Sequence, residues 1–248
     1  MTDHDDIIDV DSDDMGEDLG YTEFDWDKLP QQDVAEHDRI IELTAADARS
    51  LNRDSLTDLQ LWAVAQVLAD DEDVDGYQAI VHQLVFNGRE HPAIDYASIA
   101  GDLLMSAILG EVSINARDVL ARLHDLCDPD DATPQVSEGL VLYAEGNIEQ
   151  AMAAYQAVLD DFEDDLFVYL QVADHFALLG RFADAREVLD KADEIARTEK
   201  DDEMIVWINA ARQDILAAEA ADEEEDEDAA AAARDAFLER VQSLANAQ

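Results

Sequence analysis

Gly146-Asn147-Ile148-Glu149-Gln150-Ala151, running on to Tyr155 and Leu159, is answered 34 residues later by Gly180-Arg181-Phe182-Ala183-Asp184-Ala185, running on to Leu189 and Asp193. A fixed period carrying a glycine, an aliphatic or aromatic residue two positions on and an alanine three after that is the mark of stacked helical pairs. The glycine suits the end of a helix, where a left-handed residue without a Cβ satisfies the last carbonyls. The alanine suits a close approach of two helices. Tyr155 and Leu189, four residues further, lie one turn along the same face and fill the space between them.

Working outward, the first copy also contains Gly139, Leu140, Leu142 and Tyr143, and the second Val172, Ala173, Phe176 and Ala192. With these residues the chain resembles the tetratricopeptide repeat family over about 132–165 and 166–199. Two departures stand out: Gln135 and Tyr169 occupy the position of the family's early tryptophan, and Glu163 and Arg197 that of its closing proline. The resemblance implies an all-α fold, a right-handed superhelical solenoid of stacked antiparallel helical hairpins. It also implies a concave groove lined by the first helix of each hairpin, here Val136, Leu140, Tyr143, Phe167, Leu170, Asp174 and Leu178. Some members grip a carboxylate through Lys and Asn at such positions; apolar residues and Asp174 stand there in this chain, which argues against that specificity.

Upstream, Gln32–Leu51 has a moderate helical period through Val34, Ile40, Ile41, Leu43 and Ala48. Stretches 55–88 and 92–128 read as two degenerate hairpins. In the second, Gly110 is followed by Ala116, one residue later than the spacing downstream. Asp202–Glu219 reads as a helix, 222–228 as an acidic loop, and 229–248 as a capping helix with Phe237, Leu238, Val241 and Leu244 on one side. The domain division is thus a disordered acidic tail over 1–32, a repeat domain over 33–221, the acidic loop and the cap. Within the tail, Tyr21–Pro30 alternates acids with aromatics and is expected to be a linker or to dock on this chain's own first helices.

Charge dominates the composition. The 248 residues carry a net −47, of which −28 falls on 34–221, and lysine occurs only at 28, 191 and 200. Such a surface repels polyanions, so nucleic acid is a poor partner. Acid spread over the whole chain favours a surface adapted to high salt over a dedicated device for binding basic proteins. No apolar run is long enough to span a membrane, and carboxylates stand where a secretory signal needs basic residues, so a cytoplasmic protein is expected.

Chemistry-bearing patterns are few. Asp71-Glu72-Asp73-Val74-Asp75-Gly76 opens like a calcium loop, but its closing position holds His82 and Gln78 replaces the apolar anchor. Loop and helix-cap roles fit it better. The six histidines show no zinc-ligand spacing, and the lone Cys127 reads as a small core residue. No phosphate loop or nucleophile elbow is spelled out. The expectation is therefore a non-catalytic scaffold or adaptor without metal or cofactor, binding a protein or peptide with hydrophobic anchors and basic flanks. The alternative is an acidic, polyanion-like chaperone that shields basic proteins by charge.

Overall fold

The computed structural model describes residues 26–88 and 91–223, and within them the chain forms eleven α-helices and no strand. They are α1 (Gln31–Ile41), α2 (Ala45–Ser50), α3 (Asp58–Asp70), α4 (Val74–Asn87), α5 (Tyr96–Ile108), α6 (Ala116–Leu126), α7 (Thr133–Ala144), α8 (Ile148–Asp161), α9 (Leu166–Leu178), α10 (Phe182–Glu199) and α11 (Asp202–Glu223). Helices pack mainly on their neighbours in the chain: α3 on α4, α5 on α6, α7 on α8, α9 on α10 and α10 on α11.

Three turns share one backbone solution. Gly110, Gly146 and Gly180 end α5, α7 and α9 with φ of 75°, 81° and 69°. In each, the next N–H reaches back five residues, from Glu111 to Ser106, Asn147 to Leu142 and Arg181 to Phe176, at 2.7–2.9 Å. These bonds satisfy carbonyls that the helix end would leave open. The turn at Gly110 differs in the length of chain between it and the next helix. α8 starts two residues past its glycine and α6 six past, because Glu111–Ile114 are inserted before Asn115, the cap of α6. The slip is four residues rather than the single one expected from Ala116, which here opens its helix.

Several helix starts are set by short polar side chains. Thr57 accepts from the Gln60 N–H while Gln60 accepts from the Thr57 N–H at 2.9 Å, a complete capping box on α3. Thr57→Ala should cost about 1 kcal/mol, read as a lower urea midpoint. Thr44 explains why the first periodic stretch is two helices: its hydroxyl accepts from the Asp47 N–H and starts α2 after a break at Glu42–Thr44. The calcium-like spelling is spent on structure. Asp73 caps α4 through the Gly76 N–H at 3.1 Å, and Arg49 pairs with Asp71 at 3.0 Å and Asp73 at 2.6 Å.

Gly139 and Tyr155 set the closest approach of α7 and α8. A Cβ on Gly139 would lie 2.6 Å from the Tyr155 ring. At the equivalent positions of the second copy stand Ala173 and Leu189, both fully buried, a larger residue in place of the glycine and a smaller one in place of the tyrosine.

The apolar core falls into two clusters. One gathers α1–α6 and ends at Val141; the other gathers Ala132, Val136 and α8–α11 as far as Ile215. Helix α7 contributes to both. Of the aromatic N-terminal segment, Trp26 stands against the His37 ring at 4.9 Å between centroids. Helix α11 runs on into the acidic stretch as far as Glu223. The acidic tail before residue 26 and the cap over 229–248 lie outside the described residues.

Candidate functional site

A cavity of about 320 Å³ opens between the start of α4, α5, the loop before α7, α7 and α9. Three of these helices, α5, α7 and α9, are the ones that end in the left-handed glycine turns.

On α5 the wall includes Gly101, in the middle of the helix. Glycine there costs roughly 0.5–1 kcal/mol relative to alanine. Packing does not require it, because a Cβ at Gly101 would meet nothing within 4 Å. At this point of the cavity wall the backbone borders open space.

The inner wall is polar. Gln78, Ser137, Gln171 and His175 are all buried, and all line the cavity. Gln78 donates weakly to Ser106 at 3.4 Å. His175 Nδ1 lies 3.2 Å from the Tyr155 hydroxyl. Burial pushes the imidazole down to about 4, against a smaller opposing effect of the Val136 carbonyl, so the ring is neutral near pH 7. Gln171 is only 4% exposed, and its Oε1 has no hydrogen-bond partner. An unmet buried acceptor of this kind costs about 1–3 kcal/mol.

Four carboxylates, Asp95, Asp102, Glu111 and Asp131, complete the lining, and no Lys or Arg of the described residues joins them. Their field registers on two neighbours. Tyr77 is pushed up to about 12 by burial and then by Asp102. The Cys127 thiol is pushed up to about 12 by burial, then by Asp131, Asp95 and Asp128. Half-buried and protonated, Cys127 is a wall residue and a poor nucleophile.

The groove residues expected from the repeat motif are distributed differently. Val136 lines the cavity. Leu140, Leu170 and Asp174 are buried at 1%, 0% and 0% exposure, while Tyr143 and Leu178 are half-buried and do not line this cavity. Phe167 lines a separate depression with Phe162, Leu166 and Met204 among seven carboxylates. Two of those carboxylates are helix caps, Asp165 to the Phe167 N–H and Asp201 to the Met204 N–H. On α9 the cavity-facing residues are Gln171 and His175, one position around from Leu170 and Asp174. The helix is enclosed on nearly every side, with Leu166 and Val168–Ala177 all buried.

Gln171 and Gly101 were not among the expected residues, yet each leaves a trace in the sequence. Leu166–Leu178 is apolar except for Gln171, Asp174 and His175, spaced three and four apart on one stripe. Gly101 interrupts an otherwise uniform helical pattern.

The cavity thus places polar side chains and carboxylates beside an apolar wall. In comparisons with known proteins, no family model, no curated protein and no solved structure matches the chain.

Proposed function

We propose that the chain is a tetratricopeptide-like solenoid of stacked hairpins acting as a cytoplasmic, non-catalytic adaptor, and that the cavity across α5, α7 and α9 receives a segment of a partner protein. The observation that carries this is Gly101, a helix-interior glycine that packing does not need and whose absent side chain leaves the cavity accessible. A pocket with an apolar wall and a few convergent polar groups is the usual form of a recognition site. Repeat scaffolds use the helices on one face in this way.

The competing function is charge-based shielding of basic proteins, favoured by the −28 carried on 34–221. Salt separates the two, since contacts between exposed charges are screened within about 3 Å at 1 M, whereas a seated segment persists. Gly101→Leu should occupy part of the cavity, its Cβ entering space with no atom within 4 Å, leave the circular dichroism spectrum intact, and abolish retention of partners that wild type holds through 1 M KCl. An unchanged set of retained partners would remove the cavity from the function. Partners held only at low salt, equally by both proteins, would favour charge shielding.

A further inference from the structure

We propose that the outer face of α11 is an interaction surface, independent of the cavity, whose occupant is the chain's own C-terminal segment, 229–248. The starting point is where charge is missing. Acids make up 62 of the 248 residues, and on α10 six of the eight exposed residues are charged. On α11, every exposed residue between Met204 and Ala221 is uncharged: Val206 and Leu216, the alanines Ala210, Ala217 and Ala220, and the amides Asn209 and Gln213. Val206 and Leu216 are 51% and 49% exposed. This face lies opposite Met204, Ile208, Ala211 and Ile215, which join the core. Two charged residues of the helix pair with α10 instead, Arg212 with Asp190 and Glu219 with Arg186. On so acidic a chain, a face this poor in charge marks a surface that is covered.

What covers it follows from length, pattern and charge. α11 ends at Glu223, and 25 residues follow. The acidic stretch up to Asp228 is long enough to turn the chain back, since connections of about two to eight residues are usual between neighbouring helices. Beyond it, Phe237, Leu238, Val241 and Leu244 share one side of a helical pattern. Turned back along α11, the segment sets Phe237 against Leu216 and Leu244 against Val206. Val206–Ala220 and Ala230–Leu244 are of equal length, about 21 Å along a helix. The exposed alanines of α11 leave room for the large side chains opposite. Charge favours this occupant over a second copy. The side chains of 229–248 balance, Arg234 and Arg240 against Asp235 and Glu239, whereas two chains of −47 repel each other. Tethering adds an effective concentration on the order of millimolar.

The test is NMR on the full chain, observing the Val and Leu methyls and the Phe rings. Contacts are expected from Leu216 to Phe237 and from Val206 to Leu244 within one monomer. A sample mixed from labelled and unlabelled chains identifies contacts between copies. Ala217→Lys supplies a thermodynamic arm. On an open face it only reduces the net charge and leaves the thermal midpoint unchanged or raised. Under a packed segment it should lower the midpoint by about 3 °C or more. Phe237→Ala should lower it similarly, and the two losses should be less than additive.

Absence of both contacts would overturn the proposal, as would an Ala217→Lys midpoint at or above that of wild type. Contacts seen only between copies would assign the face to a dimer and overturn it too.

Discussion

Replacing Gly139 by alanine should lower stability by about 2–3 kcal/mol, at the upper end for an overpacked core. The new Cβ would sit 2.6 Å from both Cε1 and Cζ of Tyr155. Tyr155 has little room to yield. It is 1% exposed, edge-on to Phe176 at 4.9 Å, and tied through its hydroxyl to His175 at 3.2 Å. The ring can move only by disturbing those contacts, or α7 must lift from α8. Urea denaturation should show the loss as a lower midpoint at constant slope. The second repeat supplies the control, because its counterparts are Ala173 and Leu189. Gly139→Ala combined with Tyr155→Leu should therefore recover part of the loss, a coupling visible in a double-mutant cycle. If the two substitutions simply add, the close approach is not what fixes this helix pair.

Acid should destabilise the fold through one group before the carboxylates act. His175 has its ordinary value of 6.5 when unfolded and about 4 when folded. The unfolded chain thus binds more protons between those values. Stability from neutral His175 is fully present above pH 6.5 and is lost as pH falls toward 4, on the order of 3 kcal/mol in total. Asp73, Glu145 and Asp193 act in the same direction but lower on the scale. Arg49, Arg117 and Arg197 respectively hold their carboxyls below ordinary values of 3.8, 4.5 and 3.8. Relief of the overall negative charge works the other way. The difference between wild type and His175→Gln isolates the histidine: wild type should lose stability relative to the variant across pH 6.5 to 4. Parallel profiles would mean that the imidazole already reaches water in the folded state.

The 34-residue period and its glycines were legible because a left-handed helix end is a local backbone demand that few residues can meet. That demand shows equally at Gly110, where the Glu111–Ile114 insertion shifts the spacing to the next helix. The break between α1 and α2 was less legible, since Val34 to Ala48 keeps its apolar spacing across a cap that one hydroxyl creates. On α9 the motif's groove positions and the cavity-lining residues differ by one place, for a tertiary reason. A motif assigns faces as though each first helix had one side open, but α9 is packed by α7, α8, α10 and α11 and leaves only the Gln171 and His175 stripe beside the cavity. Gly101 lies outside the two motif copies, so no motif pointed to it, and only the geometry shows that its Cβ would meet empty space.

The division of the core at α7 has a dynamic consequence. Val141 belongs with the helices before it and Val136 with those after it, and the cavity is walled by α4 and α5 from one side and α7 and α9 from the other. Each half can then exchange its amide hydrogens as a separate cooperative block, with α7 as the boundary. A segment seated in the cavity, as the proposed adaptor role requires, would touch both blocks and rivet them together, so that its occupancy would be coupled to the opening of the two halves.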